Sequence, residues 1–297
     1  MTLRVTNGMT ASIVLADIQS SAARVASLQQ KLSTGKELTN PADDPYAVSR
    51  AMQLRNDLAA NQQYQRNVND VASWHSVTDT TLSHISDYVL RARELVVRGA
   101  TESNGPAGRT AIAAELTQVI DSIKSESNTQ IAGRYIFAGS ATTTKPYTLG
   151  AVDTYAGNTD VMKREIGRGV QIDLNESGSA TVGDASGGLL KAVRDAIAHL
   201  GSGDTASLQT TDLTALSSAQ DAVINIRAQV GARQTRLDTA MSRLQEVEQT
   251  QTGLLSKTED ADMAKAYVDF STQQAVYQAA LRAGSQIVQT SLLDFLR

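Results

Sequence analysis

Apolar side chains recur at intervals of three and four along most of this chain, and each interruption of that rhythm carries a stop signal. Between residues 11 and 32 the apolar positions are Ala11, Val14, Ile18, Val25, Leu28 and Leu32. Such spacing predicts a helix with one apolar stripe. The stretch LSTGKELTNPADDPYAVSRA, residues 32–51, ends it with Gly35, Asn40-Pro41 and the doublet Asp43-Asp44 ahead of Pro45. A second helix is predicted from Pro45, since proline at the first helical position forfeits no hydrogen bond. Asp43 and Asp44 stand where carboxylates cap free N–H groups and suit the positive end of the helix dipole. Leu54, Leu58, Val68, Ala72, Leu82, Ile85, Val89, Ala92 and Val96 keep the helical spacing with no further proline before about Thr101. The predicted helix has about 55 residues, or ~85 Å at about 1.5 Å per residue.

Ser103-Asn-Gly-Pro-Ala-Gly108 turns the chain, and Ile112, Leu116, Val119, Ile120 and Ile123 mark a return helix to about Asn128. The texture then changes. Tyr135-Ile-Phe, Thr154-Tyr155 and Val170-Gln-Ile-Asp-Leu174 are β-rich and separated by glycines, so residues 135–183 are predicted to be a small antiparallel β insert. Helix resumes at Leu189–Leu200. Leu216, Val223, Val230, Leu237 and Leu244 then recur seven apart, with the companion series Ala219, Ile226, Arg233, Ala240, Val247 and Leu254, in which Arg233 is the odd member. A break at Leu255–Asp262 follows, where Ser256 and Glu259 have capping-box spacing, and a last helix is predicted from about Met263 to Phe295.

The pattern predicts a mainly α chain: a long antiparallel helical bundle or coiled coil formed by both chain ends, with an antiparallel β domain at the tip. Its expected divisions are 1–44 with 256–297, 45–134 with 184–255, and 135–183.

Composition narrows the chemistry. The net charge is −4 with no run of Lys or Arg, which speaks against a nucleic-acid surface. No cysteine is present, so disulfides and thiol chemistry are excluded. The N-terminus lacks the charged end and apolar run of a signal peptide, and no stretch approaches the ~18 apolar residues of a membrane span. Asp43 and Asp44 as an acid–base pair compete with their capping role, which already accounts for them. Glu259, Asp260 and Asp262 lack the calcium-loop pattern. His75 and His84, nine residues apart, fall on opposite helix faces and cannot share a metal. Asn175-Glu-Ser177 fits a glycosylation sequon. Trp74 reads as packing. No constellation able to run a reaction emerges, so neither enzyme activity nor a cofactor or metal is expected.

The end helices say more. Arg282 is the only charged residue between Ser271 and Leu293, and Asp17 the only one between Val5 and Ala23. A polar stripe of Ser271, Gln274, Gln278, Arg282, Ser285 and Gln289 runs at helical spacing. Phe270, Val276, Tyr277, Ala280, Leu281, Ala283, Ile287 and Val288 fill an apolar arc of more than half the circumference, wider than one neighbour covers. The expected interface between copies is Val14, Ile18, Val25, Leu28 and Leu32 with Phe270, Val276, Tyr277, Leu281, Ile287 and Val288. Helices rich in Ser, Gln and Thr are marginal alone, so both ends are expected to be loose in the monomer and to order on assembly.

In order along the chain, these ends resemble the flagellin superfamily. The marks are Leu32-Ser-Thr-Gly35, Asp43-Asp44 and Arg91-Ala-Arg-Glu-Leu-Val96, then Asp260-Ala-Asp262, Gln274 and Ser291-Leu-Leu-Asp-Phe-Leu-Arg297. Asn40-Pro-Ala-Asp-Asp-Pro45, Gly133-Arg-Tyr-Ile-Phe-Ala-Gly139 with Pro146-Tyr147, Val230-Gly-Ala-Arg233 and Tyr277-Gln-Ala-Ala-Leu281 resemble its hook–filament junction branch more than filament flagellin. The resemblance implies a structural ring subunit that contacts itself, the first hook-associated protein on the hook side and flagellin on the filament side. It implies export by the flagellar type III route, without a cleaved signal peptide and with a chaperone beforehand, to an extracellular place in the bacterial flagellum. Paired end helices would form an inner tube, with the Gln- and Ser-rich stripe facing its channel, the long helices a next layer, and the insert the outside. Filament flagellin is the runner-up; a secreted coiled-coil effector or translocator is the reading from another class.

Overall fold

The computed structural model describes residues 7–40, 42, 44–101, 105–150 and 152–295, with side chains described for residue 9 and, within those ranges, residues 11–286. In chain order the elements are α1 (Asn7–Thr34), α2 (Pro45–Gly99), α3 (Pro106–Ser127), β1 (Gln130–Ile131), β2 (Arg134–Tyr135), β3 (Lys163–Gly167), β4 (Val170–Asp173), α4 (Gly178–Thr181), α5 (Gly188–Ser202), α6 (Thr205–Ser207), α7 (Leu213–Glu259) and α8 (Met263–Phe295). A π-turn, Leu208–Asp212, leads directly into α7.

Two compact units result, one from residues 1–60 with 247–297, the other from 61–246. The division falls inside α2 and α7, not at the breaks near 44 and 256 where the sequence suggested it. The insert is no separate body either. Ile136, Phe137, Tyr147, Ile166, Ile172 and Leu174 belong to the same buried cluster as the helices around them. Two-stranded ladders this short bury too little to stand alone, so they use the helices as their floor.

In the 61–246 unit, α2 contributes Leu82, Ile85, Val89, Ala92 and Val96, and α3 contributes Ile112, Leu116, Ile120 and Ile123, all at helical spacing and all buried. Leu189, Leu190, Val193, Ala196 and Leu200 of α5 complete that side. Gly99 lets them close: a Cβ there would run into Leu200. Leu216, Val223, Val230 and Leu237 of α7 are at most 1% exposed. Exposure along the companion series rises from Ala219 at 9% to Val247 at 38% and Leu254 at 37%. Those last two residues belong to the other compact unit.

β1 and β2 pair antiparallel, as do β3 and β4, where a register shift separates Glu165 from Gly167. Asn128 after α3 stitches the insert to the helices by donating to Tyr147 O at 2.8 Å and accepting from Tyr147 N at 2.9 Å. Tyr155 Oη donates to Phe137 O or Asn158 O, each at 2.8 Å. Gly178 leaves the space these rings need: a Cβ there would lie 2.9 Å from Tyr155 Cε2 and 3.1 Å from Tyr147 Oη.

Candidate assembly surface

In the unit formed by the chain ends, α1 and α8 pair antiparallel along a heptad seam. On α1 the less exposed positions are Val14, Ile18, Ser21, Val25, Leu28 and Leu32. Facing them on α8 are Ala266, Phe270, Gln273, Tyr277, Ala280 and Gly284, which repeat the same alternation of four and three. One layer is polar: Gln273 Nε2 donates to Ser21 Oγ at 3.0 Å, and Ser21 is 7% exposed. Near the other end a Cβ on Gly284 would come within 2.8 Å of Ile18 Cδ1 and 3.3 Å of Val14 Cγ1, so glycine permits a close approach.

This seam changes the sequence-based assignment. Val14, Ile18, Val25, Leu28 and Leu32, with Phe270 and Tyr277, are half-buried inside their own chain and are not free to join another copy. Spacing identifies a sticky stripe but not the helix that covers it. Val276 and Leu281 do stay open, at 51% and 43% exposure. Elsewhere on the two helices are exposed apolar residues that the stripe reasoning missed: Met9, Ile13 and Leu15 on α1, and Met263, Tyr267 and Val268 on α8. Their signal in the sequence was position: they lie off the heptad, where a lone two-helix coil would place charge. The side chains of Ile287, Val288 and Gln289 lie outside the described residues. Ser271, Gln274, Gln278, Arg282 and Ser285 are all exposed. Over its described side chains α8 therefore carries a seam toward α1, an uncharged polar stripe broken only by Arg282, and exposed apolar residues.

The two breaks clasp each other. Glu37 N donates to Glu259 O at 2.7 Å, and Ala261 N donates to Gly35 O at 2.9 Å. Gly35 at φ 69° supplies the left-handed turn that ends α1. Asp44 Oδ1 accepts from the N–H groups of Tyr46 and Ala47 at 3.0 and 2.9 Å at the start of α2; Asp43 lies outside the described residues. Ser256 and Glu259, expected to open the last helix, instead lie in the final turn of α7. Asp262 opens α8, accepting from Ala264 N and Lys265 N at 3.0 and 3.1 Å. Glu259 is 5% exposed and meets Lys36 Nζ at 2.5 Å as well as the Arg55 guanidinium. Two cations on one buried carboxylate leave a neutralised brace and no spare base.

Ionisable groups elsewhere are also bound into structure. Lys124, fully buried, donates to Gly150 O and Val152 O at 2.8 Å and meets Asp153 Oδ1 at 2.6 Å. Arg194 completes the knot through Nε to Asp153 Oδ2 at 2.8 Å. Burial acts to raise the Asp153 pKa, but hydrogen bonds from Arg194 and Lys124 outweigh it and hold the carboxyl below its ordinary value. The odd heptad member Arg233 reaches out of its helix to Glu176 and, at 3.8 Å, to Asp173. His75 is 2% exposed, with Nε2 at 3.1 Å from Asp173 O, and burial lowers its pKa. His199 Nδ1 lies 2.8 Å from Asp212 Oδ2, and that hydrogen bond raises its pKa. His84 is exposed beside Glu126 at 3.5 Å. Trp74 is buried at 7%. The sequon residue Asn175 is 4% exposed, its amide held by Met162 N and Asp160 O at 2.7 and 3.0 Å. Among the described residues no helix is long and apolar enough to cross a membrane.

Known proteins share this arrangement. The bacterial flagellin N-terminal helical region matches residues 5–142, and the bacterial flagellin C-terminal helical region matches residues 213–296. Flagellar hook-associated protein 3 of Escherichia coli K12 is 26% identical over 288 residues, spanning 89% of this chain and 90% of that protein. Its namesake in Salmonella typhimurium LT2 is 26% identical over 318 residues, spanning 99% and 100%. In fold, the crystal structure of Bacillus cereus FlgL superposes with a TM-score of 0.59 at 23% identity, covering 69% of this chain and 99% of that one. Hook-associated protein-3 of Legionella pneumophila gives 0.63 at 14% identity, covering 69% and 98%. With matches at both ends, in order, and full-length relatives of the same layout, the chain belongs to the flagellin superfamily.

Proposed function

We propose that this protein is a structural subunit of the bacterial flagellum that builds the junction between the hook and the filament, as a ring of copies. The observation that carries this reading is the outer surface of the α1–α8 pair. Met9, Ile13, Leu15, Tyr267, Val268, Val276 and Leu281 are exposed on two helices poor in charge, with three charged residues in α1 and four in α8. Such a surface is costly in water and becomes favourable when further helices cover it. Identical copies in a ring supply those helices. The names of the full-length relatives point to the hook-associated class. On this reading the ring meets the first hook-associated protein on one side and flagellin on the other. The subunit is held by an export chaperone before secretion and works outside the cell. The stripe of Ser271, Gln274, Gln278 and Ser285, with Arg282 its one charge, faces the export channel, because a row of fixed charges there would trap or repel a passing chain of either sign. Its role is architectural, and nothing in the surface described above calls for catalysis.

A deletion strain tests the reading. It should keep an intact hook and shed flagellin into the medium, and reintroducing the gene should restore filaments. A strain that loses the hook, or keeps full filaments, overturns it. Filament flagellin remains the second reading because a filament core protein of Treponema maltophilum is also 26% identical, over 253 residues. A copy number per flagellum in the thousands would favour it over a ring of tens.

A further inference from the structure

The chain holds six methionines and no cysteine, so thioethers are its only sulfur. Five of the six, all but Met1, have described side chains, and the structure sorts them by unit. Met162 and Met241 belong to the 61–246 unit, where both are half-buried and packed against its hydrophobic cluster. Met9, Met52 and Met263 belong to the unit built from the chain ends and are 51%, 58% and 47% exposed. The same unit carries Tyr46, Tyr267 and Val268 and most of the other exposed large apolar residues. Methionine is the apolar side chain that best adapts its shape to unlike neighbours. As a ring subunit, this unit must meet copies of itself and two different proteins.

We propose that Met9, Met52 and Met263 are modification sites for peroxide oxidants, and that their oxidation bars a free subunit from assembly. The inference rests on the ring reading above. In the reaction the thioether sulfur attacks one peroxide oxygen, the O–O bond breaks and an S–O bond forms. The departing hydroxide takes the proton of the transferred hydroxyl and leaves as water. Sulfur loses two electrons, the peroxide gains them, and the product is a sulfoxide. Exposure decides the consequence. On the free subunit the sulfoxide oxygen accepts hydrogen bonds from water, so the fold tolerates it. A neighbouring helix laid over it removes that water and offers few donors, because its own N–H groups are already paired. Oxidation at these three positions therefore acts on association. Sulfoxides at Met162 and Met241, set against the core, would act on the fold.

The test treats the full chain with dilute hydrogen peroxide until peptide mass mapping finds one added oxygen on each of Met9, Met52 and Met263. At that point Met162 and Met241 should remain mostly unoxidised, and circular dichroism should show the helical content kept. The treated chain should bind hooks isolated from the deletion strain at least about tenfold more weakly than the untreated chain. The variant Met9→Leu/Met52→Leu/Met263→Leu should bind those hooks equally before and after the same treatment, whatever its own affinity. Equal binding of treated and untreated wild type overturns this proposal and leaves the ring reading standing. So do equal oxidation rates at all five methionines, loss of helical content on treatment, or loss of binding by the treated leucine variant. Failure of the untreated chain to bind hooks overturns the ring reading, and this proposal with it.

Discussion

Replacing Val276 and Leu281 together by aspartate separates the two faces of α8. Both side chains are about half exposed, at 51% and 43%. Full burial of either contributes roughly 2 kcal/mol, so about 1 kcal/mol each remains to be gained when a neighbouring copy covers them. The two stand about 140° apart around α8, on opposite flanks of the seam, so different neighbours cover them, each contact gaining about 1 kcal/mol, or roughly fivefold in association, before the cost of desolvating a new charge. In the free subunit about half of each side chain is already covered by its own chain, so the changes should cost roughly 1 kcal/mol each there. The assay pairs thermal unfolding of the isolated protein with filament recovery in the deletion strain. A modest fall in melting temperature, smaller than that of Phe270→Ala, with lost filaments is expected. Phe270→Ala supplies the contrast: it lies in the seam and should lower the helical content of the free protein. Normal filaments from the double aspartate variant, or a melting point that falls as far as that of Phe270→Ala, would refute the assignment of faces.

Lys124→Met strips Gly150 O and Val152 O of their donor and leaves Asp153 with Arg194 alone. It should cost about 3 kcal/mol in urea unfolding, and a loss under about 1 kcal/mol would show that the knot is dispensable. The two partnered histidines should pull stability in opposite directions with pH. His75, lowered by burial, makes the native state resist a proton that the unfolded chain accepts below about pH 6.5, so its contribution is lost as pH falls. His199, raised by Asp212, contributes most below about pH 6.5 and loses that contribution as pH rises through its folded value. The stability gap between wild type and His199→Gln should therefore be wider at pH 5.5 than at pH 8.5, and the gap for His75→Gln narrower, as measured by denaturant titration at both. Lysine at Gln278 and Gln289 should leave the 61–246 unit folded by circular dichroism while slowing filament growth; growth at the wild-type rate would remove the stripe from the channel wall.

Periodicity alone carried much of the architecture. The 3-4 spacing marked α1, α2, α3, α5, α7 and α8 to within a few residues, and the glycine-spaced β-rich stretch marked the insert. What it could not carry was the identity of each partner. Val14 and Ile18 form a stripe whether α8 of the same chain or a helix of another copy lies against it. Glu259 illustrates a second limit. Four residues from Ser256 to Glu259 fit a capping box, but the helix continues through them because the true interruption is only Asp260–Asp262. The carboxylate is then spent on Lys36 and Arg55, which are distant in sequence and invisible to local rules. Lys124 was detectable in principle: it stands four residues after Ile120 and three before the buried Ser127, on the apolar face of α3. A lysine there must find acceptors indoors. Arg233 stood out in its heptad for the same reason, and Glu176 is what it was waiting for.

The partnership of α1 with α8 joins residues from opposite extremes of the polypeptide, Asn7–Thr34 with Met263–Phe295. Loop closure over so many residues makes it among the last contacts the molecule can form. Neither helix has a seam to fold onto until the other is present. Completion of the unit of α1 and α8 thereby waits on a helix more than 200 residues away in the chain.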